Sequence, residues 1–186
     1  MIEIVDYRSV WPVEFAALGA ELRSRTREAA LAIHHIGSTA VPGLAAKDVI
    51  DIQMTVADLD SLPSAAIEAA GFKRHQVRTD HLPPGMTLPP EQLEKRLFTG
   101  IGRAANLHIR VRGRFNQRYP LICRDYLRTH PAVASAYAEI KRQLARRFPR
   151  DVEAYYDIKD PVFDLIMAGA QEWVAQTSWQ EPAGDA

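Results

Sequence analysis

Two stretches of the chain alternate apolar and polar residues with a period of two, which predicts half-buried β-strands. The first covers residues 49–56 and sets Asp51 on the face opposite a row of isoleucine, methionine and valine residues. The second covers residues 106–112 and sets His108 and Arg110 opposite leucine, isoleucine and valine residues. If the two strands are neighbours in one sheet, Asp51 and His108 share its polar face.

Apolar residues at helical spacing dominate both ends of the chain. They predict a long helix over 12–32 and, later in the chain, helices over 118–130 and 131–148. A further helix is expected to begin at Asp160-Pro161, with the aspartate as N-cap and the proline in the first turn. The shorter predicted elements are a strand over 33–36, a helix over 61–70 and strands over 72–77 and 96–99. The pattern predicts an α+β fold, in which a mixed β-sheet with flanking helices precedes a C-terminal helical region.

Two segments lack a regular pattern. Residues 78–95 hold four prolines and are predicted to form a loop. This loop is either a lid or specificity loop over a site, or a mobile surface loop. Residues 177–186 follow the last helix and are predicted to be a frayed tail. We therefore expect a single domain over residues 1–176.

The composition is that of an ordinary globular protein, with 23 basic and 23 acidic residues and no net charge. This balance gives no strong nucleic-acid signal. The single cysteine, Cys123, excludes an internal disulfide, and its place in an apolar helical stripe favours a core position over a nucleophile. The sequence shows neither an apolar run long enough to span a membrane nor a secretory signal, so we expect a cytoplasmic protein.

The residues with the clearest chemical character lie just before and within the first alternating strand. Gly37-Ser38-Thr39 suits a tight turn that presents backbone N–H groups, and such turns bind anions. Lys47 adds a cation shortly before Asp51. The stretch therefore combines a turn of the right size for a phosphate, a cation and a carboxylate on a strand.

The sequence from His35 to Lys47, followed by Ile50-Asp51-Ile52, resembles the signature of the GrpB-like family, which is placed in the nucleotidyltransferase superfamily. Further similarities to the family are Trp11-Pro12 with Phe15, Asn106-Leu107-His108, and Arg124–Arg128 with His130-Pro131. The chain departs from the family pattern at Asp48, where proline is usual. The resemblance implies a nucleotidyltransferase-like mixed sheet.

The superfamily pattern places two acids on the strand after the Gly-Ser pair and a third on a neighbouring strand. Here Val49 stands at the first position, Asp51 at the second and His108 at the third. The resemblance implies a metal-dependent nucleotidyl- or phosphoryl-transferase that acts on a nucleoside triphosphate and an unknown acceptor. Asp51 and Ser38 are then the candidate catalytic residues: Asp51 would bind the metal ion and Ser38 would bind the phosphate. The alternative is a catalytically degenerate nucleotide-binding module, because Val49 replaces an acid.

The expected ligand is a nucleotide or another small phosphorylated molecule, which arginine side chains bind through paired hydrogen bonds. Adjacent helical residues diverge by about 100°, so only one of Arg124 and Asp125 can face a site, and we expect it to be Arg124. The candidate substrate-binding residues are Gly37, Ser38, Thr39, Lys47, Arg96, Arg110 and Arg124.

His35, Asp51 and His108 are the candidate metal ligands. Two imidazoles and a carboxylate can hold a divalent ion with positions left for a ligand or water. Mg²⁺, Mn²⁺ and Zn²⁺ are the ions considered, and nitrogen ligands favour the last two. The same three residues would also suit a metal-dependent hydrolase. The alternative for His35 is a structural role, in which it is hydrogen-bonded to the following turn.

Overall fold

The computed structural model describes residues 1–186 and places five strands in one mixed sheet. The strands are β1 (Ala32–Ile36), β2 (Ile50–Val56), β3 (Phe72–Arg74), β4 (Arg96–Gly100) and β5 (Ala105–Val111). Their order across the sheet is β1-β2-β5-β4-β3, and only β2 and β5 pair in parallel. The two alternating stretches are therefore direct neighbours in the interior of the sheet.

Five α-helices surround the sheet. They are α1 (Trp11–Thr26), α2 (Ser64–Ala69), α3 (Phe115–Thr129), α4 (Pro131–Arg147) and α5 (Val152–Thr177). α1 and α2 supply Trp11, Phe15 and Ile67 to the main apolar core, which also contains the apolar residues of the strands. α3, α4 and α5 pack against one another over smaller apolar clusters. The predicted α+β architecture is confirmed. No helix combines the length and the apolar character that crossing a membrane requires.

Side-chain alternation along β2 and β5 separates the core from a polar face. The isoleucines and the methionine of β2 are fully buried on the core side. On the other side, Asp51 lies beside Asn106 and Gln53 lies beside His108. The Gln53 side chain donates a hydrogen bond of 2.9 Å to the Gln117 carbonyl of α3, so this polar face is turned toward the C-terminal helices. Asp51 and His108 share one face of the sheet, as the alternation predicted.

The last helix begins earlier than predicted. α5 starts at Val152, and the Asp151 side chain caps it by accepting a hydrogen bond from the Ala154 N–H. Pro161 therefore lies inside the helix instead of opening it. A proline there removes one helical hydrogen bond, and the residue whose carbonyl loses that bond, Asp157, is exposed to solvent. Buried residues lie on both sides of Pro161 along α5, so their packing keeps the helix continuous in spite of the proline.

The C-terminal segment is not frayed, which corrects the prediction for residues 177–186. Thr177 ends α5 and residues 178–186 have no regular secondary structure, but the backbone at the end of the chain follows the free edge of β1. The Asp185 N–H donates to the Ile33 carbonyl over 2.8 Å, and the Asp185 carboxylate accepts from the His35 N–H over 2.9 Å. The His34 ring contacts the carbonyls of Pro182 and Ala183. The tail therefore covers the edge strand of the sheet.

Candidate functional site

A cavity of about 390 Å³ lies between the polar face of the sheet and the C-terminal helices. Its sheet side includes Asp51, Asn106, His108 and Arg110, and its helical side includes Tyr137, Lys141, Tyr155, Tyr156, Lys159 and Phe163. The turn after β1 contributes Gly37, Ser38 and Thr39, and the segment before β2 contributes Lys47 and Val49. The two ends of the predicted motif thus line one pocket together with residues from much later in the chain.

Gly37 brings the turn into contact with the Asp51 carboxylate. Its φ of 71° lies in the left-handed region that favours glycine. A Cβ atom placed on Gly37 would lie 2.5 Å from Asp51 Oδ2. Any side chain at this position would therefore collide with the carboxylate, which explains why glycine begins the turn.

The Gly37-Ser38-Thr39 turn leaves hydrogen-bond donors unused. Neither the Ser38 N–H nor the Thr39 N–H has an acceptor within the protein, whereas the Ala40 N–H closes the turn on the Gly37 carbonyl. Free N–H groups of successive residues are the donors that anion-binding turns use. The turn therefore has the free N–H groups that the predicted binding of a phosphate requires.

Lys141 of α4 joins this turn to the helical wall. It is only 2% exposed, and its Nζ donates to Ser38 Oγ over 2.8 Å and to the Ala45 carbonyl over 2.6 Å. Burial, with the nearby Lys159, lowers the pKa of Lys141 to about 7. The sequence analysis missed this residue, although a signal exists: a lysine stands one turn after Tyr137, on the buried stripe of the helix.

Asp51 is the carboxylate nearest the turn. Its Oδ1 accepts a hydrogen bond of 2.9 Å from the Asn106 amide and lies 3.9 Å from His108 Nε2. Burial alone would raise the pKa of Asp51, but the nearby His108 ring and the Asn106 amide hold it below its ordinary value. Asp51 is therefore an ionised carboxylate whose Oδ2 has no hydrogen-bond donor within the protein.

His108 faces Asp51 as a hydrogen-bond donor. Its Nδ1 lies 3.4 Å from Lys95 Nζ and 3.3 Å from a guanidinium nitrogen of Arg110, and both of these groups can only donate. Nδ1 is therefore the acceptor, and Nε2 carries the proton toward Asp51. Burial and the Arg110 charge lower the pKa of His108, which keeps the ring neutral.

Arg110 lines the pocket but is already paired. Its guanidinium binds both carboxylate oxygens of Asp80, over 2.8 and 3.0 Å, and Lys95 binds the same carboxylate over 2.5 Å. Burial alone would raise the pKa of Asp80, but these two cations hold it far below its usual range. Asp80 comes from the proline-rich loop of residues 78–95 and was not predicted. Its two cationic partners are Lys95, at the end of the same loop, and Arg110 of β5, and the sequence spacing of these residues does not show that they meet.

His35 does not reach Asp51 and His108. It pairs with Ile52 across β1 and β2, which sets its ring on the core face, stacked 4.7 Å from Phe15. It is 4% exposed, its ring nitrogen hydrogen-bonds Thr39 Oγ1 over 3.0 Å, and burial lowers its pKa to about 4. Strand alternation thus separates His35 from the other two predicted metal ligands, and no group of three or more histidine, cysteine or acidic side chains is placed to hold a metal.

A metal ion that is bound mainly by the phosphates of the ligand needs fewer ligand atoms from the protein. Magnesium is commonly bound by one or two carboxylates together with substrate phosphates and water. The Asp51 carboxylate, with a free Oδ2 next to the turn, fits such an ion, whereas Nε2 of His108 carries a proton and offers no lone pair to a zinc ion.

Two predicted substrate-binding arginines lie away from the pocket. Arg96 pairs with Ile109 across β4 and β5, so it lies on the opposite face of the sheet from His108. Arg124 is 2% exposed and donates to the His35 carbonyl over 2.9 Å and to the Asp185 carboxylate over 2.8 Å. Arg124 therefore fastens the tail to β1 instead of facing the cavity, which corrects the prediction.

Lys47 and Cys123 lie where the sequence predicted them. Lys47 lines the pocket, donates to the Tyr156 hydroxyl and lies 4.6 Å from the centre of that ring. Cys123 is fully buried against Met167, and burial raises the pKa of its thiol. The first is available to an anionic ligand, and the second is a core residue.

Comparisons with known proteins agree on one family. Residues 1–169 match the family model described as "GrpB protein". The crystal structure of the conserved protein GrpB from Enterococcus faecalis superposes with a TM-score of 0.75 at 28% identity, over 92% of this chain and 99% of that one. A UPF0157 protein from Pseudomonas aeruginosa is 37% identical over 91% of this chain and 67% of its own length.

A protein named dephospho-CoA kinase from Mycolicibacterium paratuberculosis is 34% identical over 96% of this chain. The alignment covers 48% of that protein, so the chain spans about half the length of this relative. The match to the family model extends over most of the chain and is supported by both sequence and structure. The chain belongs to the GrpB protein family.

Proposed function

We propose that this protein is a metal-dependent nucleotidyl- or phosphoryl-transferase that uses a nucleoside triphosphate and an acceptor of unknown identity. One observation carries the proposal: the turn with the unpaired Ser38 and Thr39 N–H groups contacts the Asp51 carboxylate at Gly37, which has no side chain to hold the two apart. A phosphate bound on the turn would therefore lie next to a carboxylate that can hold its counter-ion.

The chain's own residues divide the work between binding and orientation. The Ser38 and Thr39 N–H groups bind phosphate oxygens, and Lys141 fixes the Ser38 side chain. Asn106 and His108 orient the Asp51 carboxylate. Asp51 would hold a Mg²⁺ or Mn²⁺ ion together with ligand phosphates, and such an ion supplies charge stabilisation at the phosphorus under attack.

The names of several relatives agree with this class of activity. Some of them carry the name dephospho-CoA kinase, which denotes phosphoryl transfer. The chain corresponds to about half of those proteins, so the name supports a nucleotide-related activity for this one as part of the proposal. The His35-based hydrolase is not proposed, because His35 lies on the core face of the sheet.

A second candidate is a nucleotide-binding module without transfer activity. Val49 lines the pocket at the position where the superfamily pattern has an acid. The third position is His108, whose Nε2–H faces Asp51 and offers no carboxylate. Asp51 is thus the only acid on the shared polar face of β2 and β5, which favours binding over ordinary two-metal transfer.

The experiment that tests the proposal is calorimetric titration of the metal-stripped protein with ATP, GTP and CTP. Each titration is run without metal and with Mg²⁺ or Mn²⁺, beside the Asp51→Asn variant. A gain in affinity that needs the metal and disappears in the variant supports the transferase. Nucleotide binding that neither metal nor Asp51→Asn alters supports the binding module, and binding of no nucleotide rejects both.

A further inference from the structure

A cluster of amines and phenols occupies the helical wall of the same pocket. Lys47, Lys141, Tyr155 and Tyr156 all line the cavity. Neither lysine touches a carboxylate: Lys47 donates to the Tyr156 hydroxyl, and Lys141 donates to Ser38 Oγ and a backbone carbonyl. The proposed transfer chemistry at Asp51 makes no use of this cluster apart from the bond to Ser38.

Tyr155 independently indicates that the pocket can bind a ligand. Its side chain is fully buried, yet its hydroxyl has no hydrogen-bond partner within the protein. Burial raises the pKa of this hydroxyl, so it remains a donor. Leaving a buried donor unpaired costs free energy, and an acceptor atom of a bound ligand would recover that cost.

The charges of the pocket indicate the sign of the ligand. Five cationic side chains and three carboxylates line the cavity. Asp80 pairs with Lys95 and with an arginine of β5, and Lys159 pairs with the adjacent aspartate. The cations that remain without a carboxylate are Lys47 and Lys141. Asp51 is the one lining carboxylate without a cationic partner, so the pocket keeps an excess of positive charge, and Lys141 places one of the two amines on Ser38, in the turn with the free N–H groups.

We propose that Lys47, Lys141 and Tyr155 form a subsite for the pyrophosphate group of the ligand and neutralise its charge without a metal ion. A pyrophosphate group offers only acceptor oxygens and several negative charges, which matches a wall of amines and hydroxyls. The group belongs either to a nucleoside triphosphate or to free pyrophosphate. The subsite deepens the proposed function and rests on it only for the nucleoside part of the ligand.

The test is calorimetric titration with inorganic pyrophosphate and with ATP in the presence of EDTA. Lys47→Met is chosen because Lys47 is only half-buried, and Tyr155→Phe removes one hydroxyl without changing the ring. Lys73→Met, at an exposed position of β3 outside the pocket, is the matched control. We expect pyrophosphate affinity to fall at least about tenfold in Lys47→Met and several-fold in Tyr155→Phe, in line with charged and neutral hydrogen bonds. Lys73→Met should bind as the wild type does.

The outcomes separate the subsite from the transferase. Absence of pyrophosphate binding in EDTA, or equal affinity in all three variants, overturns the subsite even if nucleotides bind with metal. Pyrophosphate binding that depends on Lys47 supports the subsite even if Asp51→Asn shows that no metal-dependent nucleotide binding exists. ATP that binds more tightly than pyrophosphate identifies a nucleotide as the source of the group, and equal affinities identify free pyrophosphate.

Discussion

Gly37 is the residue at which the turn and the carboxylate of the candidate site meet. Its backbone has a positive φ, and the space where a Cβ would lie is filled by the Asp51 carboxylate. The residue thus combines a conformation that other residues rarely adopt with a close approach that none of them permits. Both properties depend on the absence of a Cβ atom, so a single substitution by alanine tests both.

Gly37→Ala is expected to lower the free energy of unfolding by more than about 1 kcal/mol, because alanine is strained at positive φ. The variant should also lose ligand affinity, since the carboxylate or the turn must move. Urea unfolding measures the first effect and calorimetric titration the second. Gly102→Ala is the control, because a Cβ there meets no atom within 4 Å. Equal stability of the two variants would contradict the close contact.

Strand alternation decided which site residues were predictable. The period of two placed Asp51 and His108 on one polar face, and the structure pairs their strands. The same rule places His35 on the core face once the register of β1 is known, but a five-residue strand rich in histidine and isoleucine does not reveal that register. Lys141 was missed because a lysine on an apolar helical stripe looks like an interruption rather than a buried donor.

At the scale of elements, the C-terminal tail acts as an additional edge for the sheet. β1 is one of the two edge strands, and its free side would otherwise expose unpaired backbone groups. The tail fills this edge, and Arg124 of α3 ties it down by binding the Asp185 carboxylate and the His35 carbonyl together. A polar segment rich in small residues carries no helical or strand pattern, so sequence analysis had no periodic signal for this docking.

Asp185→Asn is expected to destabilise the protein by about 1–3 kcal/mol, the usual cost of weakening a hydrogen bond to a buried charge. The guanidinium of Arg124 is 1% exposed and keeps only Asp125 as an ionised partner. Urea unfolding provides the measurement, and hydrogen exchange at the His35 amide reports the loss of the edge locally. Asp6→Asn, which removes a surface pair at a side chain 90% exposed, should leave stability unchanged. If Asp185→Asn were as stable as Asp6→Asn, the docked tail would not stabilise the edge strand.

At the scale of the whole molecule, the pocket exists because three distant parts of the chain meet. The turn after β1 supplies donors, the polar face of the sheet supplies Asp51, and the helices after residue 115 supply lysines and tyrosines. Local sequence patterns predicted the turn, the polar face, most of the helices and the α+β architecture, but not the start of α5 that carries Tyr155 and Tyr156. They did not predict how the parts meet, because long-range contacts such as Lys141 to Ser38 and Asp80 to Arg110 depend on packing rather than on spacing along the chain.

The loop of residues 78–95 closes one side of this assembly through Asp80. The carboxylate is 18% exposed and forms ion pairs with both Arg110 and Lys95, which are 6% and 7% exposed. The loop backbone adds a bridge between Thr79 and Glu94 at its base. Asp80 thus links the start of the loop to Arg110 of β5, and its charge can be removed without changing the size of the side chain.

Asp80→Asn is expected to destabilise the fold by about 3 kcal/mol, the lower end for breaking a buried ion pair, because two cations lose their shared partner. The charge of the pocket would become more positive, so pyrophosphate affinity should be retained or increased while stability falls. Urea unfolding and titration with pyrophosphate measure the two effects separately. Glu94→Gln breaks the more exposed pair with Arg114 from the same loop and should change stability by less than about 0.5 kcal/mol. If both variants were equally stable, the loop would be held by its backbone rather than by Asp80.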